Sequence, residues 1–200
     1  MPTTYRTKLD STYCNDAAHA LRWQKTLAFL RESEVVGTNC SLGLDLGDRT
    51  PLTTALEELF ACTFHNSTID LDVGSLCGSY TVVTAFEVLE HLYNPLHLLL
   101  QVRNVLRGNN ARLFVSMPLW KPHFLASPDH FHEMTHRAAL SLFERAGFAV
   151  VRHAEFRIRE PLFYVSGIKP LLRAWYEKIQ IYELTMQVET VPCHEVALVL

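Results

Sequence analysis

The sequence predicts an α/β protein: a three-layer sandwich with helices on both faces of a mostly parallel sheet. Three observations predict it. Short apolar segments rich in β-branched residues recur at 40–46, 68–73, 80–86, 112–116 and 148–152, stretches with helical periodicity lie between most of them, and turns containing Gly or Asn mark each change of period. Such alternation favours right-handed parallel crossovers.

Each element has its own signal. Between Asn15 and Glu32, Ala18, Leu21, Leu27 and Leu30 recur at helical spacing among charges, so an amphipathic helix covers a sheet face or roofs a ligand cleft. Cys40–Leu46 reads as a buried strand running into the Gly47-Asp48 turn. Thr50 is a good N-cap and Pro51 suits the first helical position, which opens a helix through Phe60. Strands are expected at Thr68–Val73 and Tyr80–Phe86, and the short stretch before Tyr80 barely holds a strand–helix–strand unit, so the sheet is expected to lack a strand or a helix. A helix from Pro95 to Leu106 leads to the strand Arg112–Ser116; Thr135 caps a helix to Arg145, and Gly147 ends it before the strand Phe148–Arg152. Glu160–Gln187 is long for a connection and reads as a helical insertion, with Glu195–Leu200 as a last, antiparallel strand. One domain is expected, with a helical cap at 1–39, a core at 40–156, an insertion at 157–193 and the final strand at 194–200.

The 200 residues are 48% hydrophobic, enough for a real core, and the net charge of −3 argues against broad binding to nucleic-acid backbones. The polar N-terminus and the lack of a bilayer-length apolar run point to a cytoplasmic protein with no transmembrane segment. Cys14, Cys40, Cys62, Cys77 and Cys193 are odd in number, scattered and without metal or redox spacing, and read as reduced thiols.

In open parallel sheets ligands lie at the carboxyl ends of the strands, near the switch in strand order. There the chain carries Phe86-Glu-Val-Leu-Glu-His-Leu-Tyr-Asn-Pro95, followed by Val105-Leu-Arg-Gly108, Leu113-Phe-Val-Ser-Met-Pro118 and Arg145-Ala-Gly-Phe148. At these four ordered points it resembles the class I S-adenosylmethionine-dependent methyltransferases, most closely the branch containing small-molecule O-methyltransferases such as those of ubiquinone biosynthesis. The resemblance covers residues 40–152, and Glu87-Val-Leu-Glu-His91 is its specific part. It implies a Rossmann-like fold, S-adenosylmethionine as cofactor, and methyl transfer to an oxygen nucleophile of a small or lipid-like acceptor. It further implies cofactor contacts from Asp45, Gly47, Asp48 and Arg49 after the first strand, from Asp70 or Asp72 after the second, and from Phe86 at the end of the next.

The cofactor loop departs from the family, because Arg49 and Pro51 stand where the second and third glycines are usual. Glycine allows positive φ and close approach of a ligand, whereas arginine adds a long side chain and proline fixes φ. Arg49 either pairs with the cofactor carboxylate or fills the pocket. The second case makes the chain a noncatalytic domain with a binding or assembly role.

Four histidines, His123, His130, His132 and His136, cluster after the Arg112 strand, at the same edge as Glu90 and His91. Imidazole is a general base near neutral pH, so His91 or His130 is the candidate catalytic base. The family resemblance also suggests a divalent metal held by Glu87, Glu90, His91 and His130, with His132 as an alternative to His130.

Overall fold

A computed structural model describes residues 17–122, 127, 129–159 and 161–187. Its elements run α1 (Ala17–Arg31), β1 (Gly43–Asp45), α2 (Pro51–Phe60), β2 (Phe64–Asn66), β3 (Val82–Phe86), a 3-10 turn (Leu89–His91), α3 (Pro95–Val105), β4 (Arg112–Pro118), α4 (His136–Arg145), β5 (Phe148–Arg157), α5 (Pro161–Tyr164), α6 (Ile168–Tyr176) and β6 (Lys178–Met186). The strands form one sheet in the order β2-β1-β3-β4-β6-β5. Pairings among β2, β1, β3 and β4 are parallel, whereas β6 runs antiparallel to both its neighbours.

Two apolar cores make this a three-layer sandwich. On one face Leu44, Val83, Ala85, Leu113 and Val115 meet Leu98, Leu99 and Val102 of α3 and Phe143 of α4. On the other, Val82, Phe114 and Ile181 meet Phe29 and Leu30 of α1 and Leu52, Leu56 and Phe60 of α2. Alternation along β3 and β4 sends successive side chains to opposite cores, so both strands are apolar throughout. The expected amphipathic helix at the N-terminal end is thus a layer of the fold, and α2, α3 and α4 keep the expected starts.

Three expectations are corrected. The second strand is Phe64–Asn66, and the segment expected as strand, Thr68–Val73, forms turns. Its β-branched residues are too few to outweigh Asp70 and Asp72, whose carboxylates cap backbone instead: Asp70 Oδ1 accepts from the Asp72 N–H at 2.9 Å, and Asp72 Oδ1 from the Asn94 N–H at 2.7 Å. No helix separates β2 from β3, which is the expected shortening. The expected helical insertion ends at Tyr176, and Lys178–Met186 is the antiparallel strand. This strand is buried on both faces despite its polar residues because each finds partners: Glu183 accepts from Ser33 Oγ at 2.7 Å, Arg112 Nε at 3.3 Å and Arg152 Nε at 2.7 Å, while Gln180 donates to the Met134 carbonyl at 2.8 Å. The strand expected at Glu195–Leu200 lies outside the described residues. Finally, Cys40 and Cys62, expected as free thiols, form a disulfide with a Cα–Cα distance of 5.8 Å, because β1 and α2 bring their flanking segments together; Cys77 is free and exposed. No helix among the described residues is long and apolar enough to cross a membrane.

Candidate active site

From β1 the chain passes through α2 to β2 on one side and then crosses to β3 on the other. The carboxyl ends of β1 and β3 therefore flank the point where strand order reverses, where an open sheet leaves a crevice.

The β1 turn is held by Asp45. Its buried carboxylate accepts from Thr53 Oγ1 at 2.6 Å, Thr84 Oγ1 at 2.8 Å and Asn66 Nδ2 at 3.4 Å. Burial raises its pKa, opposed by these hydrogen bonds. Asp45 thus ties α2, β3 and β2 to the loop. Asn66 Nδ2 also donates to the Gly47 carbonyl at 3.2 Å. Thr84 and Asn66 are candidate-site residues that sequence reasoning missed, since hydroxyls and amides carry no periodic signal. Thr53, whose backbone amide the helix start suggests as an anion donor, instead gives its N–H to the Thr50 carbonyl at 3.0 Å and its hydroxyl to Asp45. Gly47 has φ +143°, a conformation suited to glycine, and a Cβ at this position would meet no heavy atom within 4 Å. The backbone therefore faces open space that a ligand could fill. Asp48 follows it in the same turn, and Phe86 ends β3, packed against the core that holds α2.

Arg49 turns away from this space. Its guanidinium makes a two-pronged contact with Glu57 of α2, Nη1 lying 3.2 Å from Oε1 and Nη2 bonding to Oε2, and its side chain is 51% exposed. Pro51 occupies the first turn of α2. The two departures from the family loop thus sit on the helix side. Because an exposed pair contributes little, we predict that Arg49→Ala changes adenosylhomocysteine affinity by no more than about threefold, measured by calorimetry. A large loss would show that Arg49 swings onto the cofactor, and a large gain that it obstructs the pocket.

At the end of β3, Glu87 adopts left-handed backbone with φ 55°, unusual for a residue with a side chain. Its carboxylate accepts from Arg22 of α1 at 3.0 Å and from Ser116 Oγ at 2.9 Å. The helical turn begins only at Leu89, so the expected shared face of Glu87, Glu90 and His91 does not form, and Glu87 stands outside the cluster of the other two.

Glu90, His91 and His130 do converge, with ligand atoms all within 4.8 Å of one another. The loop carrying His130 is fastened to the 3-10 turn by the Phe131 N–H, which donates to the Glu90 carbonyl at 2.7 Å. His91 Nδ1 lies 3.0 Å from the Asp129 carbonyl and so must carry a proton to donate, which leaves the lone pair on Nε2 in the neutral ring. His130 Nδ1 lies 2.7 Å from Glu133 Oε1, which Lys121 Nζ also approaches at 3.0 Å. Burial lowers the His91 pKa, favouring the neutral ring, while the Asp129 carbonyl opposes this. Glu90 is fully buried, and neither carboxylate oxygen has a hydrogen-bond partner among the described residues. Burial, reinforced by the charge of Glu87, raises its pKa well above the ordinary carboxyl range.

The remaining histidines go elsewhere. His132 Nε2 donates to the Tyr93 carbonyl at 3.3 Å, His136 Nδ1 lies 2.8 Å from Tyr182 Oη beneath α4, and His123 is outside the described residues.

Comparison with known proteins agrees with this architecture. The fold is that of S-adenosylmethionine-dependent methyltransferases: a Leishmania major enzyme of that type matches with a TM-score of 0.59 at 12% identity, covering 85% of this chain and 74% of its own. A methyltransferase domain family model matches residues 27–153, more than half of the chain, which therefore belongs to that family. The Burkholderia thailandensis 1,6-didemethyltoxoflavin-N1-methyltransferase, solved with bound 1,6-didemethyltoxoflavin and S-adenosylhomocysteine, matches with a TM-score of 0.55 at 11% identity, covering 89% of this chain and 82% of its own. The 4+2 cyclase SpnF matches with a TM-score of 0.55 at 13% identity, covering 94% and 89%, so the same fold also carries other chemistry. No curated protein matches the sequence.

Proposed function

We propose that the chain is an S-adenosylmethionine-dependent methyltransferase that methylates an oxygen nucleophile of a small acceptor. The observation that carries this reading is the open space at Gly47 after β1, with a convergent carboxylate and two imidazoles after the adjacent parallel strand β3 and in the loop bonded to it. The residues suited to hold the cofactor are Gly47 and Asp48 in the first turn, with Asn66 and the Asp45 network fixing the loop, and Phe86 beyond it. Bound there, the cofactor supplies an electrophilic methyl group. His91 or His130 accepts the acceptor's proton at Nε2, the nitrogen left free by the hydrogen bond at Nδ1.

As an alternative to the base role, since an ion would take the same Nε2 lone pairs, Glu90, His91 and His130 suit a divalent cation: an orphaned buried carboxylate stands beside two imidazoles whose Nδ1 atoms face oxygen acceptors, the usual outer-shell arrangement of metal-binding histidines. Such an ion supplies Lewis-acid polarisation of an acceptor oxygen. Glu87 belongs beside this set as the partner of Arg22. The loop substitutions that favour a noncatalytic domain lose much of their force because Arg49 is bound to Glu57.

Calorimetric titration with adenosylmethionine and adenosylhomocysteine is the direct test. Saturable binding below about 100 μM is expected, and no heat at about 1 mM ligand overturns the reading.

A further inference from the structure

Beyond the cleft, a cavity of about 430 Å³ is lined by Lys25 of α1, Phe156, Arg157 and Arg159 at and just past the end of β5, Tyr164 of α5 and Ala174 of α6. Its volume suits one small organic molecule. Three cations gather here in a chain whose net charge is −3. Arg159 is offset by Glu177, with Nε 3.3 Å from each carboxylate oxygen. Lys25 and Arg157 are not so offset: among the described residues Lys25 Nζ donates to the Arg157 carbonyl at 2.7 Å, and Arg157 Nε donates to the Ala174 carbonyl at 3.0 Å. Neither has a carboxylate partner among those residues. Tyr164 Oη is enclosed by protein beside the Arg159 backbone N–H, so the tyrosine contributes its ring to the cavity wall. Burial, with the charge of Glu177, raises the phenol's pKa, opposed by the Arg159 backbone, so the ring adds no negative charge to the cavity. Phe156, the Tyr164 ring and Ala174 add apolar wall.

The cavity adjoins the catalytic edge. β5 runs parallel to β4, both being antiparallel to β6, so Arg157 ends its strand at the same edge of the sheet as Ser116 and Glu87. Arg22 and Lys25 stand three residues apart on one face of α1, about 4.5 Å along its axis. Arg22 reaches Glu87 and Lys25 reaches the cavity, so one helix forms a wall of both.

We propose that this cavity receives the acidic group of an organic anion, a carboxylate or a phosphate monoester on an apolar ring-bearing body, with Lys25 and Arg157 as donors, and so anchors the acceptor. Anion binding stands independently, while the role as acceptor anchor rests on the methyltransferase reading.

Benzoate, phenyl phosphate, inorganic phosphate and phenol serve as probes, titrated by calorimetry against the full chain without cofactor. Benzoate or phenyl phosphate should bind, with affinity falling as salt rises, and whichever binds identifies the acidic group. Phenol should bind at least about tenfold more weakly, and Lys25→Gln or Arg157→Gln should each weaken the anion about tenfold or more, the scale of one charge-assisted hydrogen bond. Arg157→Lys should restore part of the loss. Inorganic phosphate binding as tightly as phenyl phosphate overturns the requirement for a ring-bearing body. Equal affinity for phenol, unchanged affinity in Lys25→Gln, or no binding of either aryl anion overturns the site. If both aryl anions fail while adenosylhomocysteine still binds, only this inference falls; anion binding without adenosylhomocysteine binding removes the methyltransferase reading instead.

Discussion

Replacing Gly47 by valine is expected to abolish adenosylhomocysteine binding, with affinity reduced at least about a hundredfold, while the domain stays folded. Both halves follow from the geometry. Outside residues 46–48 no heavy atom lies within 4 Å of the point where a Cβ on residue 47 would sit, so valine displaces no other part of the folded chain and instead enters the volume assigned to the ligand. The remaining penalty is conformational, because φ +143° disfavours a β-branched residue, on the order of 1–3 kcal/mol. Circular dichroism and thermal melting separate the two effects. A folded Gly47→Val variant with unchanged affinity would move the cofactor site away from this turn.

Glu90→Gln should make the metal-free protein more stable and less able to bind a divalent ion. The carboxylate is fully buried with no partner on either oxygen among the described residues, and a neutral amide in its place is less costly to bury by roughly 1–3 kcal/mol. For a chain of this length each kcal/mol moves the midpoint about 2–4 °C. The sign of the pH effect follows. Because the folded pKa of Glu90 is raised above 4.5, the folded chain holds a proton that the unfolded chain has released. Its contribution to stability is present below the unfolded pKa and is lost as pH rises through the folded one. Chelator-treated wild-type protein should therefore lose stability through this group as pH rises above the ordinary carboxyl range, and Glu90→Gln should lack that component. Zinc or magnesium should raise the melting midpoint of the wild type and leave the variant's in place. Identical melting curves with and without metal in both proteins would leave Glu90 as a buried acid with no role in binding.

The sequence made much of this fold visible and less of its site. Strands β1, β3 and β4 and helices α2, α3 and α4 were legible because β-branched runs, N-caps and proline at helix starts act within a few residues. β2 was missed because Phe64-His-Asn66 is three residues long and two of the three are polar. β6 was missed because its partners are remote: Glu183 is satisfied by Ser33, Arg112 and Arg152, and no local pattern announces a buried acid whose donors are that distant. At the site, the Glu90-His91 pair and His130 were legible as chemistry-bearing residues at one sheet edge. The exclusion of Glu87 was not, since it depends on a single left-handed residue that breaks the helical face. Nor could sequence show that Arg49 leaves the loop for Glu57, eight residues on.

The sheet order bears on how the chain is completed during synthesis. β6 lies between β4 and β5, although both precede it in the chain. Until residues 178–186 leave the ribosome, β4 has an unpaired edge and β5 has no neighbour at all. Emerging strands with open edges are prone to pairing with other chains. A chain stopped just before Lys178 would retain every element bearing the proposed catalytic groups, yet would lack the strand that closes the sheet. It would be expected to aggregate rather than persist as a smaller working domain.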